Sequence, residues 1–316
     1  MNLQERLQIL SMVRTFDGDN FDVVFTKVIS ELLHRPQYIC SPRGKKIHEL
    51  ISPTILLRHP RARLLNLKSR DTKYGFGVGE FLWYWAGKND LDTMVYYNKR
   101  MKDFSDDGKT VNSAYGYRIR TDSKYYGSTQ WNACKKALLQ DQDSRRAILI
   151  INNSFDNIRA VEEGSKDVPC TLSLQFFIRN NQLILHTNMR SNDAIWGLTY
   201  DLFSFTLLQE AMMLDLNASG LPGLQMGEYI HTAGSLHLYD QHFEMAEKII
   251  TEGTSSKFRP AAKMEQIDLK GLALLVEDEQ LLREGKVTDV DLSKYSGGCS
   301  WMAGCLTDHR RQRNAK

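Results

Sequence analysis

Val168-Pro169-Cys170-Thr171 begins a stretch that runs to Arg190-Ser191-Asn192-Asp193 and then to Gly197-Leu198-Thr199-Tyr200-Asp201. Between these marks, residues 172–178 and 183–189 alternate apolar and polar side chains and flank Asn180-Asn181. Asparagine pairs tolerate the positive φ of a tight turn, so a hairpin is predicted. Residues 203–216, rich in Phe, Leu and Met, follow as a long buried helix. A thiol at the head of a strand, an arginine beside a hydroxyl and a carboxylate thus fall within about thirty residues. That is the equipment to attack an electron-poor ring covalently while holding a phosphate and reading a base edge.

Outward from this stretch, residues 147–151 read as a buried strand, and Ser128 is placed to cap a helix presenting Trp131, Cys134, Leu138 and Leu139 on one face. A helix is expected from Glu80 to Tyr97, broken at Gly87, with Gly75-Phe76-Gly77-Val78-Gly79 as a flexible approach to it. Residues 54–65 are strand-like up to Pro60. Leu3, Leu7 and Leu10, then Phe21, Val24, Phe25, Val28, Ile29 and Leu32, carry helical periodicity. Strands and helices mix without strict alternation, which points to an α+β fold rather than a parallel doubly wound sheet. One catalytic domain is expected over 1–295, with 296–316 as a mobile tail.

Composition narrows the class. The apolar fraction is 42% and the charged fraction 25%, ordinary for a globular protein. A net charge of +3 is too small to favour duplex nucleic acid and suits a few arginines committed to a small anion. The longest aliphatic run, 147–151, is too short to span a bilayer, and no basic-then-apolar leader opens the chain. The five cysteines form no CxxC pair, so no metal is expected; their odd number argues for free thiols and a cytoplasmic setting.

Taken singly, the candidate residues have bland readings. A lone cysteine is most often a core residue, the Asp143-Ser144-Arg145-Arg146 run a solvated turn, and Glu80 a charge near a helix start. His231, His237 and His242 miss the spacing of a helical metal pair. The glycines before Glu80 fit neither dinucleotide nor P-loop spacing.

Read together, they resemble the thymidylate synthase family, in which a Pro-Cys pair, an Arg-Ser-x-Asp run and a Gly-x-x-Phe-Asn run occur in this order and spacing. The resemblance covers residues 74–250 well and the N-terminal segment loosely. It implies a mixed sheet with surrounding helices, paired into a homodimer through the sheet face, and 5,10-methylenetetrahydrofolate as co-substrate. Cys170 would add to C6 of a pyrimidine nucleoside monophosphate. Arg190, Ser191 and Arg43 would hold its phosphate, joined by Arg145 and Arg146 from the other subunit. His237 and Tyr239 would bind the sugar 3′-hydroxyl. Glu80 would organise water, and Tyr115 would sit near the C5 proton. Asp193, Trp83, Gly197 and Tyr200 would face the folate. Thr171 replaces the family's usual histidine after the nucleophile.

The departure that matters most is Asp201, where synthases carry asparagine. An Asn amide complements the N3–H and O4 of uracil, whereas a carboxyl can accept from the N4 amino group of cytosine and share a proton with N3. A carboxylate facing O4 leaves a mismatched polar pair, a penalty of about 1–3 kcal/mol. Asp at this position resembles the deoxycytidylate hydroxymethylases. A second departure is Asp103-Phe104-Ser105-Asp106-Asp107-Gly108, where synthases have a tryptophan-bearing segment; loss of that wall would admit water in place of hydride, with Phe104 a partial substitute. The expected product is 5-hydroxymethyl-dCMP. The alternatives are a CMP 5-hydroxymethylase, a dCMP methylase, a dUMP thymidylate synthase, or an inactive nucleotide- or RNA-binding relative.

Overall fold

The computed structural model describes residues 13–255 and 266–315. Leu3, Leu7 and Leu10 of the expected N-terminal helix lie outside them. The chain partitions into two compact units, and three elements run through both.

The first unit draws on the chain up to Thr72, on His186–Phe203 and on residues from Gly227. It contains β1 (Thr15–Gly18), α1 (Phe21–His34), β2 (Tyr38–Cys40), β3 (Ile47–Ile51) and β4 (Thr54–Leu57). α1 is capped by Asn20, whose side chain accepts from Val23 N, and buries Phe21, Val24, Phe25, Val28, Ile29 and Leu32 on one face, as their spacing predicts. β1 pairs with β4 in parallel, while β3 and β4 both pair antiparallel with β8 (Gln225–Tyr239). β7 (Gln182–Asp193) lies next to β8, giving the order β1-β4-β8-β7. The sheet is therefore mixed and the fold α+β.

The second unit comprises Lys73–Leu185, Ser204–Met226 and the C-terminal residues. Here the strand order is β7-β6-β5, with β5 (Ile148–Ile150) antiparallel to β6 (Thr171–Arg179). Asn180 and Asn181 join β6 to β7 at φ 50° and 57°, the two positive values that a two-residue hairpin turn demands.

Its helices are α2 (Tyr74–Trp85), α3 (Leu91–Tyr97), α4 (Tyr115–Arg120), α5 (Gln130–Gln140) and α6 (Ser154–Glu162). Gly87, at φ 65°, separates α2 from α3 as expected. α2 begins at Tyr74, so the glycines are helical rather than a flexible approach. Their reason is contact: a Cβ at Gly75 would lie 2.4 Å from His309, and one at Gly79 would lie 2.3 Å from the Tyr97 ring. α5 is capped by Thr129, not Ser128, and buries Trp131, Cys134 and Leu138.

α7 (Gly197–Ser219) continues from the first unit into the second and starts earlier than its apolar run. α8 (Phe243–Ser255) belongs to the first unit, α9 (Leu269–Arg283) and α10 (Gly297–Asn314) to the second. The segment expected to trail off as a tail is thus α10, with Cys299, Met302, Ala303 and Leu306 buried. No helix among the described residues is long and apolar enough to cross a membrane.

Candidate active site

In the first unit, β7 ends on the Arg190–Asp193 run, and the turn into α7 is built by that run. Asp193 Oδ1 accepts from Ile195 N at 2.8 Å and from Trp196 N at 3.3 Å, and Thr199 Oγ1 donates to Ile195 O at 2.8 Å. Arg190 is exposed and Ser191 half-buried, while Asn192 turns inward. Arg70, which no motif flagged, is buried beneath this turn. Its Nε donates to Ile195 O at 2.9 Å and its guanidinium lies over the rings of Trp196 and Tyr200, at 4.5 and 5.6 Å from their centroids. Tyr200, expected to face folate, is buried in this stack.

Asp201 is the fifth residue of α7 and keeps some accessible surface. Protein atoms nonetheless surround its carboxyl closely enough that burial pushes its pKa up to about 7, with Asp193 adding to the rise and the Asn192 hydrogen bond opposing it. Asn192 Nδ2 donates to Asp201 Oδ2 at 2.8 Å. Asn192 Oδ1 lies 3.1 Å from His231 Nε2, and His231 Nδ1 lies 2.9 Å from the Tyr229 hydroxyl. Gly197 makes room for this: a Cβ there would lie 2.7 Å from Asn192 Nδ2. Its role here is clearance for an amide.

β8 carries His231 and His237, and His242 lies in the 3-10 turn that follows it. Burial drives the pKa of His231 down to about 3, so its ring is neutral. His237 is buried, which lowers its pKa, and its Nδ1 lies 3.5 Å from Ser235 Oγ, which donates to Glu49 Oε1. Its carbonyl accepts from Ala194 N at 2.8 Å, tying β8 to the turn before α7. The His237 and Tyr239 rings meet edge-on at 5.0 Å. His242 Nε2 instead accepts from Trp196 Nε1 at 3.2 Å. The three histidines have separate partners, and no metal-holding cluster of His, Cys, Asp and Glu occurs among the described residues. Arg43 stands exposed in the turn Pro42–Gly44 with φ 54°.

The second unit holds the remaining candidates. Cys170 directly precedes β6 and is half-buried. Thr171 behind it is buried, and its hydroxyl has no hydrogen-bond partner among the described residues. Asp167, three residues before the thiol, accepts from the backbone of Asn112 and Ser113 at 2.5 and 2.8 Å. Those residues lead into Tyr115 at the start of α4, so one carboxylate anchors both segments. The Tyr115 ring packs on Tyr84 at 5.4 Å and Phe205 at 6.0 Å. A Cβ at Gly116 would lie 2.2 Å from the Tyr84 backbone, so α4 rests directly on α2.

Glu80 is half-buried in the middle of α2 rather than at a helix start. Trp83 is a core residue, buried with Tyr84, Leu91, Met94, Val111 and Ala114. Arg145 and Arg146 are exposed in the turn before β5. Phe104 ends a 3-10 turn, 51% exposed, so it forms no packed aromatic wall. The segment after it is shaped by carboxylates: Asp107 Oδ1 accepts from Lys109 N and Thr110 N at 2.8 and 2.7 Å.

The comparisons agree with this equipment. The deoxyuridylate hydroxymethyltransferase of Bacillus phage SP01 is 35% identical over 233 residues, covering 71% of this chain and 58% of that protein. Another deoxyuridylate hydroxymethyltransferase, from Pseudomonas phage M6, is 31% identical, covering 60% of this chain and 50% of its own length. The deoxycytidylate 5-hydroxymethyltransferase of Enterobacteria phage T4 is 32% identical over 138 residues, covering 43% and 55%. The match thus spans about half the length of each relative. The family model described as thymidylate synthase matches residues 53–298, which include Glu80, Tyr115, Cys170, Arg190 and Asp201, and the chain belongs to the thymidylate synthase family.

Proposed function

We propose that this protein is a pyrimidine nucleotide 5-hydroxymethyltransferase acting on dCMP with 5,10-methylenetetrahydrofolate. The observation that carries the reading is Asp201: a carboxyl raised to about 7 stands where a synthase has a neutral amide. Near neutral pH it can hold or share a proton, and so pair with both N3 and the N4 amino group of cytosine.

In this reading Cys170 adds as thiolate to C6, leaving electron density at C5, which bonds to the one-carbon unit of the folate. Loss of the C5 proton, beside Tyr115, expels tetrahydrofolate and leaves an exocyclic methylene. Water positioned by Glu80 adds to that carbon, and Cys170 departs from C6. The sum is dCMP, methylenetetrahydrofolate and water giving 5-hydroxymethyl-dCMP and tetrahydrofolate, with no net oxidation. The exposure of Phe104 supports water rather than hydride as the final reactant. Arg190, Ser191 and Arg43 bind the phosphate, with Arg145 and Arg146 donated by a second copy in a homodimer; their exposure suits that role. His237 and Tyr239 hold the 3′-hydroxyl, while Asp193 serves the folate side.

A second reading, dUMP hydroxymethylation, is favoured by the names of the SP01 and M6 relatives. Incubating the protein with each nucleotide and the folate, then weighing the product, tests both. A hydroxymethylated nucleotide with tetrahydrofolate is expected; a methylated one with dihydrofolate overturns the hydroxymethyltransferase reading.

A further inference from the structure

Three buried side chains behind Asp201 have no counterpart in the roles above. Tyr229, His231 and Asn192 are each at most 3% exposed, yet each is polar and each is bonded to the next. Burying three such groups is unfavourable unless every donor meets an acceptor, so their directions can be worked out. Asn192 gives Nδ2 to Asp201 Oδ2, which leaves Oδ1 as its acceptor. His231 Nε2 must then carry the proton that Asn192 Oδ1 receives. The neutral ring has one N–H, so Nδ1 is bare and accepts from the Tyr229 hydroxyl. Every donor points one way, from Tyr229 through His231 and Asn192 to a single carboxylate oxygen.

We propose that Tyr229, His231 and Asn192 form a positioning relay that keeps Asp201 Oδ2 an acceptor, confines any Asp201 proton to Oδ1, and thereby sets the enzyme's choice between amino- and oxo-pyrimidines. This rests on the reading that Asp201 faces the base edge. A free carboxyl can exchange donor and acceptor between its oxygens and so suit either base. Fixing the order removes that freedom: Oδ2 accepts from an exocyclic amino group and Oδ1 shares a proton with N3. The relay residues touch neither substrate nor reacting atoms, and the neutral imidazole transmits direction without charge. Gly197 belongs to the same device, because a methyl group there would displace the Asn192 amide.

The test compares dissociation constants of dCMP and dUMP, by calorimetry without folate, in the wild type and in Asn192→Ala, Gly197→Ala, Tyr229→Phe and Asp201→Ala. A ratio of two ligands on one preparation cancels any loss of folded protein, which a purely structural role would produce. Asn192→Ala and Gly197→Ala should each move the dCMP-to-dUMP ratio about tenfold toward unity, the effect of one hydrogen bond to a charged group. Tyr229→Phe, which removes only a hydroxyl, should move it less and in the same direction. An unchanged ratio in Asn192→Ala and Gly197→Ala, alongside an altered one in Asp201→Ala, overturns the relay alone. An unaltered ratio in Asp201→Ala overturns the reading of Asp201 on which the relay rests. If the wild type prefers dUMP, the dCMP assignment fails, and the relay stands or falls on whether Asn192→Ala still shifts the ratio.

Discussion

Asn192 donates its amide to Asp201 Oδ2 at 2.8 Å, so the carboxyl that distinguishes this chain from a synthase is held by a residue inside its own Arg-Ser-x-Asp run. The carboxyl and its holder lie on opposite sides of one turn, β7 before it and α7 after. Changes at either side should therefore reach the base edge.

Asp201→Ala removes the carboxyl altogether. The preference for dCMP over dUMP should collapse toward unity, with kcat/KM for dCMP falling about tenfold to a hundredfold as N3 and the amino group lose their partner. Steady-state kinetics on both nucleotides checks it; an unmoved preference removes Asp201 from recognition.

Cys170→Ala should abolish turnover, by at least about a thousandfold, because no other group forms the bond to C6. Nucleotide binding should persist, since phosphate and sugar contacts are assigned to other residues. Retained turnover in this variant would exclude covalent addition through this thiol.

The raised pKa of Asp201 has a consequence for stability without ligand. In the unfolded chain the carboxyl titrates near about 4, and in the folded protein near 7. Between these values the folded state binds more protons than the unfolded state, so stability falls as pH rises. Its contribution is whole below about pH 4 and lost on passing through about pH 7. The stability difference between wild type and Asp201→Asn should therefore change in the wild type's disfavour across that window, measured by denaturant titration. A flat difference contradicts the shift.

Gly116→Ala should destabilise the protein by about 1–3 kcal/mol, because the added Cβ would meet the Tyr84 backbone at 2.2 Å and neither helix has a flexible side chain to yield there. Thermal unfolding reads this directly. An unchanged midpoint would mean that α4 does not rest on α2 as described.

The hairpin through Asn180-Asn181 and the length of the apolar run in α7 were legible in the sequence, because period-2 alternation and continuous burial leave distinct marks. Asp201 was legible because a motif gave its position meaning. The relay was not. Tyr229 and His231 share one strand face at i and i+2, but nothing in the sequence says that Asn192, the variable position of its run, lies beside them. α10 was missed for a different reason. It opens on Gly297-Gly298 and ends among arginines, so its apolar periodicity is thin. Close packing replaces it: a Cβ at Gly271 of α9 would lie 2.9 Å from Cys299 Sγ. The helical glycines of α2 misled similarly, since glycine that admits a neighbour looks in sequence like glycine that frees a loop.

The most direct test of the central claim is the ratio of kcat/KM for dCMP over dUMP in the unaltered protein, with 5,10-methylenetetrahydrofolate saturating and the product identified by mass. The expected result is a ratio of about ten or more with 5-hydroxymethyl-dCMP formed. A ratio at or below unity would contradict the assignment of Asp201 as the reader of cytosine.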